Sequence, residues 1–192
     1  TQFNVFPFNV LENIYRSFDE QVKVRRYPTS SADFDYEAKC DKPTDKREIY
    51  VMIIGEASRA ANWQLYGYDR ATNPRLSTEE NLVVYKNVVT QCNATHKSVP
   101  LILSSVSADN HSEIYERRGI VQLYKDAGFR TLVVSCQAPN RSLIQMMCDE
   151  ADQTIYMNGL NDGAMLEPLR ETIAADTSDL FVVMHCYGSN FN

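Results

Sequence analysis

Residues 49–56 read IYVMIIGE, an apolar run that ends in a glycine and then a carboxylate. A run of this length without polar alternation is typical of a strand that is covered on both faces, as in parallel sheets. Further strand-like runs follow at residues 82–89, 130–135, 154–157 and 180–185, with helix-like segments at 98–106, 116–127, 142–151 and 162–175. This alternation predicts an α/β domain with a mostly parallel sheet and helices on both faces.

The first 47 residues differ from the rest of the chain because aromatic side chains are dense there. We predict a short helix near residues 10–22, followed by an extended segment that wraps around the domain. Aromatic side chains at this density need to be covered, either by the main domain or by a neighbour. We therefore divide the chain into a wrapping segment, residues 1–47, and a domain portion, residues 48–192.

Bulk properties exclude some classes of function. The formal net charge of -6 disfavours a nucleic-acid binder, which would normally carry a basic face. No apolar run reaches the roughly 18 to 20 residues needed to span a bilayer. The cysteines show no metal-finger spacing; Cys136 and Cys148 form either a disulfide, as the pair closest in sequence, or two buried thiols.

Polar residues stand at the carboxyl ends of predicted strands, where parallel sheets bind their ligands. Glu56 and His185 would share this rim, with Thr95 on a loop beside them. A threonine hydroxyl needs a base or a metal ion to become a nucleophile, and a following helix would add N–H donors suited to phosphate. Two alternatives stay open: Thr95 as a helix-capping hydroxyl, and Glu56 in an ion pair with Arg59 or Arg70.

Three motifs resemble those of the phosphoethanolamine transferases, which include the lipid A-modifying enzymes of colistin (polymyxin) resistance. Residues 55–74, GEASRAANWQLYGYDRATNP, are similar to the signature GE-(S/T)-x-R-x-x-x-x-x-L-x-G-Y-x-R-x-T-x-P. Residues 95–100, THKSVP, resemble the nucleophile segment T-x-x-S-V-P, and residues 185–189, HCYGS, resemble the start of H-x-x-G-S-H. The family belongs to the alkaline phosphatase and sulfatase superfamily, so this resemblance implies the N-terminal part of a domain with that fold.

The resemblance also implies a set of site residues. Glu56 would be a zinc ligand, and Thr95 both a zinc ligand and the nucleophile. Thr95 would attack the phosphorus of phosphatidylethanolamine, release diacylglycerol and carry phosphoethanolamine until a lipid A phosphate takes it up. His185 and Asn190 would bind the substrate, although Asn190 stands where the family has a second histidine. Asparagine keeps a donor and an acceptor but cannot titrate.

The family is anchored at the periplasmic face of the bacterial inner membrane, so the resemblance implies a transmembrane region before Thr1 and a monomeric enzyme. Its remaining zinc ligands would follow Asn192, which predicts that the 192-residue chain alone binds zinc poorly and is inactive. Two other functions stay open: a different phosphotransferase or phosphodiesterase of the superfamily, and a degenerate domain that only binds lipid headgroups. A sulfatase is disfavoured, since no C/S-x-P-x-R segment occurs at Thr95.

Overall fold

The structure, a computed structural model, describes residues 5–41 and 46–188. Its strands are β1 (Ile49–Ile54), β2 (Arg130–Ser135), β3 (Gln153–Tyr156) and β4 (Leu180–His185). The α-helices are α1 (Phe8–Ser30), α2 (Thr95–Ile102), α3 (Ile120–Asp126), α4 (Leu143–Cys148) and α5 (Leu166–Ala175). Short 3-10 helices occur at Ala60–Asn62, Gln64–Tyr66, Leu76–Thr78, Ala108–Tyr115 and Asp162–Met165.

The four strands form one parallel sheet in the order β1-β4-β2-β3. β4 therefore lies between β1 and β2, and all six of its residues are buried. In this register His185, the last residue of β4, is opposite both Ile54 and Ser135. The carboxyl ends of three strands thus meet at one edge of the sheet.

Both faces of the sheet carry helices, as predicted. Val133, Phe181 and Val183 point to the face that α1, α2, α3 and α4 cover. The alternate residues of the same strands, including Val134 and Val182, pack against α5 and Met165 on the other face. β2 and β4 are buried on both sides for this reason, which explains their uninterrupted apolar runs. The expectation that residues 49–54 are covered on both faces was wrong: β1 stands at the end of the strand order, and four of its six residues are exposed.

Two secondary-structure predictions were wrong. Residues 82–89 form no strand, and Val83 and Tyr85 of this segment are exposed. A strand forms only where another strand satisfies its backbone groups, and no described strand pairs with this segment. The helix predicted to begin at Ser98 begins at Thr95 instead, because the Ser98 N–H already donates to the Ala94 carbonyl at 2.8 Å.

α1 is longer than predicted and is held to the domain by a buried carboxylate. The Tyr27 hydroxyl donates to Glu150 Oε1 at 2.6 Å, and the Gly119 N–H donates to Glu150 Oε2 at 3.0 Å. Burial raises the pKa of Glu150, and these donors oppose the shift. Tyr27 is therefore covered by the main domain, whereas Tyr15 and Phe18 on the N-terminal half of α1 remain exposed. No helix among the described residues has the length and apolar character to span a bilayer.

We expect Tyr27→Phe to lower the free energy of unfolding by about 2 kcal/mol, because it removes a hydrogen bond to a buried carboxylate. Urea denaturation followed by circular dichroism measures the change. Tyr15→Phe on the same helix is the matched control: its ring is 71% exposed, and we expect its free energy of unfolding within about 0.5 kcal/mol of the parent. Equal stability of the two variants would show that the Tyr27–Glu150 bond does not hold α1.

Candidate active site

The register of the sheet gathers the predicted site residues at its carboxyl edge. The Cys186 N–H donates to the Ile54 carbonyl at 2.9 Å, which extends the β1–β4 pairing one residue past His185. Glu56 follows Ile54 by two residues, so its carboxylate leaves the sheet beside the end of β4. The predicted proximity of Glu56 and His185 to one rim therefore agrees with the strand register.

Thr95 and Glu56 are in direct contact. Thr95 Oγ1 donates a hydrogen bond that both Glu56 oxygens share, at 3.0 and 3.1 Å. Thr95 is the first residue of α2, and no side chain caps this helix, so the capping alternative is wrong. Within the described part of the chain, Glu56 makes no ion pair with Arg59 or Arg70. A carboxylate and a hydroxyl arranged in this way can share a proton or bind one cation between them.

The backbone next to Glu56 is strained, and the backbone next to Thr95 presents the N–H groups of a helix start. Ala57, directly after Glu56, has a φ of 47°, a left-handed conformation that is costly for a residue with a Cβ. On the other side, Thr95 occupies the first turn of α2, where no side chain caps the helix and the Lys97 N–H donates to the Ala94 carbonyl at 3.0 Å. The first N–H groups of a helix have no carbonyl partner one turn earlier within it. Such N–H groups favour an anion such as phosphate at this position.

His185 is a buried imidazole with an unused nitrogen. Its side chain is 2% exposed, and Nε2 has no hydrogen-bond partner among the described residues. Burial lowers the pKa of His185, against the opposing effect of the nearby Glu56 and Asp162 carboxylates. The imidazole is therefore neutral near pH 7 and has one nitrogen available for a ligand.

Sequence reasoning missed Asp162, which fixes the loop after β4. Its carboxylate accepts hydrogen bonds from the Tyr187 N–H at 2.7 Å and the Gly188 N–H at 3.0 Å. A Cβ at Gly188 would lie only 2.5 Å from Asp162 Oδ2, so a larger residue there would displace the carboxylate that holds the loop. The contact spans 26 residues of sequence, and no local pattern indicates it. Asn190 lies outside the described residues.

Thr95 borders two cavities. The first, about 220 Å³, is polar and lies between Thr95 and His185; Ser135, Gln137, Asn140 and Tyr156 also line it. Gln137, one of these lining residues, donates a hydrogen bond from Nε2 to the Cys186 carbonyl at 2.9 Å. The second, about 440 Å³, lies on the Glu56 side and includes Arg59 and Ser98.

No cluster of three or more metal-binding side chains (His, Cys, Asp or Glu) occurs within residues 5–41 and 46–188.

The cysteines near the site are free thiols rather than a disulfide. Cys136 and Cys148 are both buried and unpaired with each other. Burial raises the pKa of the Cys148 thiol to about 12, so it stays protonated and unreactive at neutral pH. The alternative of two buried thiols is therefore the correct one.

Comparison with known proteins identifies similar chains. A family model described as Sulfatase matches residues 48–192. The phosphoethanolamine transferase EptA of Escherichia coli K12 is 30% identical over 157 residues, 76% of this chain and 28% of that protein. The phosphoethanolamine transferase CptA of Salmonella typhimurium LT2 is 24% identical over 164 residues, 78% of this chain and 28% of that protein. The chain thus spans a little over a quarter of the length of these relatives.

Solved structures share the fold. The C-terminal periplasmic domain of EptC from Escherichia coli, in complex with Zn, superposes with a TM-score of 0.74 at 23% identity. That match covers 80% of this chain and 47% of the EptC chain. The integral membrane protein lipooligosaccharide phosphoethanolamine transferase A (EptA) from Neisseria meningitidis gives a TM-score of 0.74 at 19% identity, over 98% of this chain and 36% of that chain. These likenesses confirm the fold predicted from the sequence.

We expect the free energy of unfolding to fall as the pH drops below about 6.5. In this range His185 takes up a proton in the unfolded chain but stays neutral in the folded protein, where its pKa is lower. The stabilisation that comes from keeping His185 neutral is present above the pKa that this residue has in the unfolded chain. It is lost as the pH falls toward the lower pKa of His185 in the folded protein, with a slope of at most about 1.4 kcal/mol per pH unit. Urea denaturation at a series of pH values between 7 and 5 should show a flatter profile for His185→Gln than for the parent.

The matched control is His96→Gln, at an exposed position next to the nucleophile candidate. Its pH profile should follow that of the parent. If His185→Gln keeps the full slope, the buried imidazole is not the source of the pH dependence.

Proposed function

This chain belongs to the sulfatase family, and on that premise we propose that it is the N-terminal part of the catalytic domain of a zinc-dependent phosphoethanolamine transferase. One observation carries the proposal: the Thr95 hydroxyl, at the first turn of α2, is bonded to both oxygens of Glu56. A hydroxyl paired with a carboxylate beside the N–H groups of a helix start is suited to attack on phosphorus.

The donor, acceptor and location are proposed from the relatives. The two curated relatives described above are phosphoethanolamine transferases, and one solved neighbour is a lipooligosaccharide phosphoethanolamine transferase. We assign phosphatidylethanolamine as the donor and a lipid A phosphate as the acceptor. The solved neighbours are a periplasmic domain and an integral membrane protein, which supports an enzyme at the periplasmic face of the inner membrane. We propose that it acts as a monomer.

The residues at the site fit part of a zinc site. Zinc binds carboxylate and other oxygen or nitrogen ligands, and Glu56 and Thr95 place such oxygens within hydrogen-bond distance of one another. When bound, zinc would favour the ionised hydroxyl and stabilise charge on a phosphoryl oxygen. Zinc sites need at least three protein ligands, so the proposal places the remaining ligands outside the described residues.

Each half of the proposed transfer reaction uses side chains of this protein. Thr95 Oγ1 gives up its proton to solvent and forms a bond to phosphorus, while the bond from phosphorus to the diacylglycerol oxygen breaks and that oxygen takes up a proton. In the second half, an oxygen of the acceptor phosphate forms the new bond to phosphorus, and the bond to Thr95 Oγ1 breaks as that oxygen takes up a proton from solvent. The neutral His185 would donate from Nε2 to a phosphoryl oxygen, and Asn190 would bind the substrate through its amide.

We expect Thr95→Ala in the complete protein to lower phosphoethanolamine transfer to lipid A by about a thousandfold or more, since the variant lacks the attacking oxygen. Mass spectrometry of lipid A from cells expressing the parent or the variant measures the adduct. Thr95→Ser is the matched control, because serine keeps the hydroxyl and should retain measurable transfer.

Two results would contradict the proposal. Parental adduct levels from Thr95→Ala would exclude Thr95 as the nucleophile. An absent adduct from well-expressed, zinc-loaded parent protein would favour another acceptor, another reaction of the superfamily, or a degenerate headgroup-binding domain marked by Asn190.

We also expect the 192-residue chain on its own to bind zinc weakly, because Glu56 and Thr95 supply only two of the ligands. Isothermal titration calorimetry on the isolated chain should show no tight stoichiometric binding, whereas the complete protein should retain zinc through dialysis. Tight binding of one zinc ion by the isolated chain would show that its donor set is complete.

A further inference from the structure

A large groove runs beside the site and takes no part in the chemistry described so far. Its volume is about 1190 Å³, and it lies between residues 58–67, residues 85–91 and the C-terminal half of α2. Its walls combine polar and apolar side chains; the larger aliphatic contributors are Leu65, Val88, Val89, Leu101 and Ile102. Grooves that hold ligands usually measure roughly 300–1,000 Å³, so this one has room for a large substrate.

The groove is continuous with the nucleophile. The cavity that contains Glu56 and Thr95 shares part of its lining with the groove, including Arg59, Ser98 and Ile102. α2 runs from one to the other: Thr95 begins it at the reacting end, and Ile102 ends it in the groove. A molecule with its phosphorus at Thr95 can therefore extend along α2 into the groove.

The groove combines positive charge with aliphatic side chains, which suits the phosphate and the acyl chains of a phospholipid. Arg59 and Lys86 are among its lining residues and no carboxylate is, although the chain as a whole has a net charge of -6. Val88 and Val89 are 74% and 86% exposed, so apolar surface faces water along one wall. Exposed apolar surface bounded by polar groups marks a binding site rather than a random surface.

The groove is also held open by its own hydrogen bonds. The Tyr66 hydroxyl donates to the Tyr85 carbonyl at 3.2 Å and so joins the two loops. The Gln64 N–H donates to Thr72 Oγ1 at 3.0 Å, and Trp63 Nε1 donates to Ser58 Oγ at 2.6 Å. These bonds fix the loop at residues 58–67, which reduces the entropy that a ligand would lose in ordering it.

We propose that this groove binds the acyl chains of the phospholipid donor while its headgroup lies in the polar cavity beside His185; the assignment rests on the proposed function. In a phospholipid the phosphorus is separated from the acyl chains only by glycerol, so a donor with its phosphorus at Thr95 must place its chains nearby. The acyl chains of lipid A are separated from its phosphates by sugar, which makes them the less suitable occupant. The polar cavity, at about 220 Å³, is too small for acyl chains.

The test uses the complete protein and a phosphatidylethanolamine that carries a photoreactive diazirine in one acyl chain. After irradiation, mass spectrometry of peptides locates the label; we expect it within residues 58–67 or 85–91. Val89→Asp should reduce this labelling about tenfold, because a carboxylate makes the wall unfavourable for an apolar chain. Val83→Asp is the matched control: Val83 is on the same segment and 73% exposed but does not line the groove, so labelling should equal the parent's.

Labelling elsewhere in the protein, or equal labelling of Val89→Asp and the parent, overturns the proposal. If another part of the protein fills the groove, the lining residues receive no label, and this result also overturns the proposal. Measuring lipid A modification in parallel distinguishes a failure of the proposed binding site from a failure of the proposed reaction. A labelled groove without transfer supports the binding site and contradicts the proposed function, whereas transfer that Val89→Asp leaves unchanged contradicts the binding site alone.

Discussion

The parallel pairing of β1 with β4 is the constraint on which the site depends. It sets Ile54 opposite His185, so the carboxylate two residues past β1 and the imidazole at the end of β4 meet at the same edge. A shift of one residue would move Glu56 by about 3.3 Å and turn His185 to the opposite face of the sheet. The alternating packing of β4 against helices on both faces prevents such a shift, because Val182 and Val183 belong to different hydrophobic clusters. The hydrophobic core therefore determines the geometry of the polar site.

The site itself does not stabilise the fold. His185 is buried and its Nε2 has no hydrogen-bond partner in the part of the chain that the structure describes, and Ala57 adopts a left-handed conformation beside Glu56. Each of these features costs free energy, of the order of 1–3 kcal/mol for the backbone strain. The buried strands β2 and β4 and the helices on both faces offset this cost. Unpaired polar groups and strain that the core tolerates are typical of residues kept for binding rather than for stability.

The strands at residues 130–135 and 180–185 could be predicted because their apolar runs are covered on both faces. Residues 49–54 were predicted correctly as a strand but wrongly as a buried one, since composition does not reveal that β1 stands at the end of the strand order. The sequence placed Glu56 and Thr95 at one rim of the sheet, with Thr95 on a loop. It did not indicate that Thr95 begins α2 or that its hydroxyl bonds directly to Glu56. Residues 82–89 have a similar composition but form no strand, since strand formation depends on a neighbour that a local pattern does not describe. Asp162 was missed for a related reason: its partners Tyr187 and Gly188 are distant in sequence, and only the folded chain joins them.

α2 serves both the chemistry and the proposed lipid contact. Its first residue, Thr95, borders the polar cavity that includes His185, and its last turn lines the groove with the apolar side chains of Leu101 and Ile102. The helix therefore crosses a boundary between polar and apolar surroundings within eight residues. A phospholipid has the same boundary at its phosphorus, with a charged headgroup on one side and acyl chains on the other. A nucleophile located at the matching boundary of the protein can reach that phosphorus without moving either part of the lipid into unfavourable surroundings.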